Sequence, residues 1–350
     1  MKIDNKINQY YESLEWKNYF KFFFRRNKKK FIQVFSKNIS ANNFFLLNSG
    51  RAGILLSLIG LGINRNENVF VSSFLNSCVL SPVNMVAYSS NQFNSNTKVV
   101  LLNHQWGYSQ NFEEISKVLA NKDIKIIEDC AHGYWGKNFG VNMGDFGDTS
   151  IYSPSKLFKM TYCGGIKINN LSIYSDIKKR LEYETSFDEI LQSFLGEIIY
   201  VNYYSKNFKN RSKKKNQLKL TKWYQSLLTY PRATTIAGNF PQNDEEMSKY
   251  FKTHNKRFLK MLDISKNFKF ILQKDDLSSM GPLCFPYISD DDEKMSYINN
   301  FLKTLGIHTG FYNFDLNRNM FSTNYTKCIP IPLYTSINEG IFEKIYEKIK

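Results

Sequence analysis

The apolar run IIED ends in an acidic residue, Asp129; His132 follows three positions on, and Lys156 lies in the serine-flanked stretch IYSPSKLFKMTYCGG ahead of Gly164 and Gly165. A strand-end carboxylate, an amine and a serine–glycine cradle form the set that a pyridoxal phosphate enzyme needs. The carboxylate meets the pyridinium nitrogen, the amine forms a Schiff base, and the cradle takes the phosphate. A carboxylate ending an apolar strand is costly to bury alone, so Asp129 calls for a cationic partner. By itself such an Asp is most often a cap or turn residue; with His132 and Lys156 behind it, the functional reading prevails. Lys156 has to lose its proton before it can attack, and desolvation beside a cationic ring lowers its pKa in the required direction. The released amine can then shuttle a proton. Lys159 is the rival for this role. Gly50, Arg51 and Ala52 open a helix, whose free N–H groups and dipole suit an anion such as the cofactor phosphate. His104 is left open between a structural and a site role.

Several elements must position these groups. Ser49 is placed to cap a helix through Ile54–Leu61, with Gly62 suited to the left-handed residue that closes it. ENVFVSSF, KVVLLN and IKIIED read as strands, FEEISKVLA as a helix, and IKIN as one more strand. Strands alternating with helices imply a largely parallel sheet covered on both faces, with ligands at the carboxyl ends of the strands. The predicted fold is therefore α/β, a large domain followed by a small α+β domain. We read residues 1–40 as a basic, aromatic-rich helical arm and 41–268 as the large domain. Residues 269–350 form the small domain, built from PLCFPYI, MSYINNFLKTLG, CIPIPL and EGIFEKIYEKI.

The 350 residues carry a net charge of +16, most of it in two runs. Residues 1–40 hold ten Lys/Arg against three acids, and Lys206 to Lys222 holds eight and none. The remainder is almost neutral, which argues against nucleic-acid binding over a whole basic face. Either run could instead touch an anionic membrane surface or draw in a diphosphate, or be no more than a solvated lysine-rich surface. No uncharged apolar stretch reaches membrane-spanning length and no signal region is visible, so cytoplasmic residence is expected. The five cysteines, Cys78, Cys130, Cys163, Cys284 and Cys328, show no metal spacing, so neither zinc nor a disulfide frame is expected. Cys130 and Cys163, next to the site, read as small packing residues.

The segments NSGRAGILLSLIGLGI, NHQWGY, IIEDCAHGYWG and IYSPSKLFKMTYCGG resemble, in this order, the nucleotide-sugar aminotransferases, the DegT-like enzymes of the aspartate aminotransferase fold (fold type I). The likeness is strong in the first half and weak from about Tyr174 to Asn267. It implies that Asp129 pairs with the ring nitrogen of pyridoxal 5'-phosphate, that Lys156 is the Schiff-base lysine, and that His132 lies against the ring. It further implies a phosphate site made of Gly50, Arg51, Ala52 and Ser153. The resemblance also implies a nucleotide-linked keto sugar as substrate, glutamate as amino donor, a homodimer, and a place in amino-sugar or surface polysaccharide biosynthesis. Two features depart from it. Asn76, with Phe74 two residues earlier, stands where an aromatic stacks on the cofactor, and an Asn-Tyr-Arg segment is not evident. These departures motivate the alternative of a non-catalytic scaffold that binds an anionic membrane or acidic partner through its basic segments.

Overall fold

Strand runs rich in Val, Ile and Leu are too short to be helices and are buried on both faces, which calls for a sheet with helices above and below. The computed structural model describes residues 7–8, 25–182, 191, 194–195, 226–234, 236, 238–265, 268, 271–272, 275–335 and 337–350, and the basic run 206–222 lies outside them. The chain enters through helix α1 (Arg25–Asn38), strand β1 (Phe44–Leu47) and helix α2 (Gly50–Gly60). It continues through β2 (Asn68–Val71), α3 (Ser77–Val86), β3 (Tyr88–Ser90), β4 (Thr97–Asn103), α4 (Phe112–Leu119), β5 (Lys125–Asp129), β6 (Thr149–Tyr152), β7 (Gly164–Ile168) and α5 (Tyr174–Leu181). The order across the central sheet is β1-β7-β6-β5-β4-β2-β3. All strands run one way except β7, which is antiparallel to both neighbours.

The two faces separate along single strands. Val99 and Leu101 of β4 enter the cluster formed with α2, whereas Val100 and Leu102 enter the one formed with α4, as the two-residue period of a strand requires. Helix α2 is buried from Ala52 to Leu58; it begins at its Ser49 cap, and Gly62 follows at φ +72. Helix α1 buries Phe31, Val34 and Phe35. Phe31 stacks on Phe35, with ring centroids 5.3 Å apart, and meets Phe158 edge-on.

Beyond these come α6 (Asp244–Asp263), β8 (Cys284–Tyr287), α7 (Asp292–Thr304), β9 (Tyr312–Asp315), β10 (Tyr325–Pro332) and α8 (Glu339–Ile349). Strands β8, β10 and β9 form an antiparallel sheet in that order. One apolar cluster unites Phe31 and Phe35 of α1, Phe158, Phe258 of α6, Phe285, Phe314, and Phe342 of α8. The division at residues 40 and 268 stays a proposal, since this cluster crosses both borders. No helix among the described residues is long and apolar enough to cross a membrane, and nothing in them supports the membrane contact read from the basic runs.

Elements additional to the sequence expectations include β1, α3, β3, β6, α6 and β9. Pro82 inside α3 reads as a breaker in the sequence, yet α3 holds its helix, with Val83 wholly buried in the α2 cluster. In α6 the buried stripe of Met247, His254, Phe258, Met261 and Leu262 is diluted by interspersed lysines.

His254 on that stripe is 1% exposed, with its ring 6.3 Å from Trp135. Burial, and then the nearby Arg257 charge, lower its pKa from 6.5 to about 4. The folded protein thus holds this imidazole neutral, so its contribution to stability is complete above the unfolded value and is lost as pH falls from 6.5 toward 4. The shift corresponds to about 3 kcal/mol. Denaturant midpoints measured across that window should fall with acid in the wild type and flatten in His254→Phe; parallel curves would refute this origin.

Candidate active site

Because β1, β2, β4, β5 and β6 run parallel, their carboxyl ends share one edge of the sheet. Asp129 ends β5 there and is 3% exposed. Its Oδ1 accepts from the Ala131 N–H at 3.0 Å and its Oδ2 from Nδ2 of Asn103, also at 3.0 Å. Asn103 ends β4 directly across the ladder from Asp129.

On the opposite face Glu128 is wholly buried. It accepts from His104 Nε2 at 2.9 Å and from the N–H groups of Gly144 at 3.0 Å, Phe146 at 2.7 Å and Gly147 at 2.7 Å. His104 Nδ1 accepts from the Gln110 N–H, which puts the ring proton on Nε2, facing the carboxylate. His104, Glu128 and Cys130 present donor atoms within 4.8 Å of one another. Both imidazole nitrogens are already engaged, so this is a hydrogen-bonded clamp, and His104 is structural.

Lys156 closes the single turn Pro154–Lys156 after β6. Burial, above all, holds its amine below the ordinary lysine range; Cys78 and Asp129 oppose the shift and Arg51 adds to it. His132 is pushed well below the ordinary imidazole range by burial and then by the charge of Lys156. Asp129, Arg51, Cys78 and His132 thus each lie within electrostatic reach of Lys156. Lys159 instead sits in a two-residue strand paired with Gly238–Asn239. Of the two lysines, Lys156 is the one brought to Asp129. Cys130 and Cys163 are wholly buried, as packing residues are.

The start of α2 is braced from two sides. Ser49 Oγ accepts from the Ala52 N–H at 3.2 Å and donates to the Leu228 carbonyl. The Asn48 N–H donates to Arg232 O at 3.1 Å, and its Nδ2 to Leu227 O at 2.9 Å. From the other side β7 presses close: a Cβ on Gly164 would lie 2.0 Å from the Ser49 carbonyl carbon. Of the three amides expected to hold phosphate, that of Ala52 is thus already engaged by the cap, leaving the expectation on Gly50 and Arg51. Ser153 Oγ reaches Cys163 O at 3.5 Å, a long contact that leaves its hydroxyl weakly committed.

The expected stacking residue is not present in the expected form. The Asn76 carboxamide caps α3 by accepting from the Cys78 N–H, and Phe74, 71% exposed, meets Tyr325 edge-on. Within the stretch where the resemblance would place Asn-Tyr-Arg, the structure holds Tyr230, Pro231 and Arg232 beside α2. Sequence inspection missed Asn103 and Cys78; the one available signal was a strand, KVVLLN, ending in a polar residue level with Asp129.

A carboxylate, a desolvated amine, and a helix start with an adjoining guanidinium fit a cationic ring bearing a phosphate, as in pyridoxal phosphate. Residues 87–183 match the family described as DegT/DnrJ/EryC1/StrS aminotransferases. The GDP-perosamine synthase of Escherichia coli O157:H7 is 21% identical over 51% of this chain and 54% of its own length. The chain thus spans about half the length of that curated relative. Two solved structures share the fold. The aminotransferase TlmJ from Streptoalloteichus hindustanus is superposable at a TM-score of 0.57, with 13% identity, over 99% of this chain and 98% of its own. NtdA from Bacillus subtilis with bound cofactor PMP gives 0.53 at 15% identity, over 96% and 85%. The fold is that of the pyridoxal phosphate aminotransferases.

Replacing Glu128 by alanine strips the acceptor from His104 and from three N–H groups at once. A loss of about 3 kcal/mol in unfolding free energy is expected. A shift in the denaturant midpoint corresponding to under about 1 kcal/mol would contradict the clamp.

Proposed function

We propose that this chain is a pyridoxal phosphate-dependent aminotransferase acting on a nucleotide-linked keto sugar, with glutamate as amino donor. We place it in amino-sugar or surface polysaccharide biosynthesis, as a cytoplasmic homodimer. The observation that carries this reading is the convergence of Asp129, Lys156, His132 and Arg51 at the carboxyl ends of the strands, with the amine of Lys156 held below its ordinary pKa.

When bound, pyridoxal phosphate supplies an electron sink for charge developing at the carbon that gains or loses nitrogen. Asp129 would hold the ring nitrogen, its carboxylate already oriented by two donors. Gly50 and Arg51 at the start of α2 would orient the phosphate, with Ser153 adding a hydroxyl. The depressed pKa of Lys156 raises the share of neutral amine near neutral pH, which suits Nζ to attach the cofactor and to carry a proton between substrate and cofactor carbons. His132, neutral for the same reason of burial, can lie against the ring without adding a competing cation.

A scaffold relative would have no chemical use for a buried amine beside a buried carboxylate, and the retained set speaks for catalysis. The relative named as a GDP-perosamine synthase supports the substrate class.

The decisive measurement is the visible absorption spectrum of the purified protein with pyridoxal phosphate, beside that of Lys156→Ala. A band in the wild type that glutamate shifts, and that the variant lacks, is the expected result, together with a fall in amino transfer of roughly a thousandfold. A band that persists in the variant would transfer the role to Lys159, and no band in either protein would favour the scaffold.

A further inference from the structure

We infer that Asn103 is a positioning residue for Asp129: its carboxamide fixes the plane of the carboxylate that would meet the ring nitrogen of pyridoxal phosphate, and so sets the affinity for that ring. The inference rests on the proposed cofactor site.

A carboxylate held at one oxygen can still turn about its last side-chain bond. The Ala131 N–H holds Oδ1; Nδ2 of Asn103, at 3.0 Å from Oδ2, removes the remaining freedom. Each oxygen can accept a further bond, so the restraint leaves room for a ring N–H. The donor is neutral, and this matters. Lysine, arginine or protonated histidine at 103 would compete with the ring cation for the charge of Asp129, whereas an amide orients the carboxylate without neutralising it.

The origin of this donor is fixed as well. Asn103 lies opposite Asp129 in the ladder, and the Asp129 carbonyl accepts from the His104 N–H at 3.1 Å. Gln110 then grips the turn: its Nε2 donates to Asn103 O at 2.8 Å, its N–H to His104 Nδ1 at 3.1 Å, and its Oε1 accepts from the Met320 N–H at 3.2 Å. An asparagine at a strand end commonly folds back on its own chain. Here its NH2 group spans two strands, and its backbone is held from the β9–β10 connection.

The test compares two probes on the cofactor-stripped protein: pyridoxal phosphate, and 1-deazapyridoxal phosphate, in which carbon replaces the ring nitrogen. Asn103→Leu keeps the branched four-heavy-atom side chain, though not its volume, and removes the donor. Its dissociation constant for pyridoxal phosphate should rise roughly tenfold, on the scale of other outer-layer supports, while that for the deaza analogue stays within about twofold. In an Asp129→Asn background the same substitution should have no effect on either probe. Asn103→Ser, too short to reach Oδ2, carries the same comparison should the leucine variant not fold. Equal weakening toward both probes would reduce Asn103 to a packing role and overturn the inference, as would unchanged binding of pyridoxal phosphate. Failure of the wild type to bind pyridoxal phosphate would overturn the site assignment itself, a result seen before any variant is compared.

Discussion

The ends of β4 and β5 are bridged on both faces of the sheet, and the site is aligned to that double bridge. On one face Asn103 meets Asp129; on the other His104 meets Glu128. A parallel ladder alone fixes backbone separation but leaves strand-end side chains to choose among rotamers. Two cross-strand bonds on opposite faces remove that choice, and Asp129 emerges with a defined direction. The 144–147 turn, which returns the chain to β6 and hence to Lys156, hangs from the same Glu128 carboxylate.

Glu128 shows how a buried acid is tolerated. Four donors surround its two oxygens, and such satisfaction is the condition under which a low-dielectric interior accepts charge. Burial acts also on Lys156, holding its amine below the ordinary lysine range, with Arg51 adding to the shift and Asp129 opposing it. One acid serves architecture, surrounded by four donors, while the amine of Lys156 is held below its ordinary pKa chiefly by burial.

Much of this was legible in the residues. Ser49, Gly62, and the strands ending at Asn103 and Asp129 announced the parallel sheet and its active edge, because caps and apolar runs are local signals. β1 and β6 are four residues each, too short for periodicity to declare itself. Helix α3 was obscured by Pro82, and α6 by lysines set between its buried positions. The pairing of Asn103 with Asp129 joins residues far apart in the chain, and only the strand register makes them neighbours. Likewise Tyr230–Arg232 carries no local mark of its place beside α2; the backbone bond from Asn48 reveals it.

The cluster beneath the site joins Phe31 and Phe35 of α1 to Phe342 and Ile345 of α8. Ribosomal synthesis delivers these residues roughly 15 to 60 seconds apart: the aromatic face of α1 emerges first and meets its full complement only after α8 has been made. The nascent chain can cover α1 with Tyr152 and Phe158 by its midpoint, yet it carries the cluster without Phe342 and Ile345 until the last helix is made. Closing this core therefore joins residues from the two ends of the chain, the long-range kind of contact that slows folding.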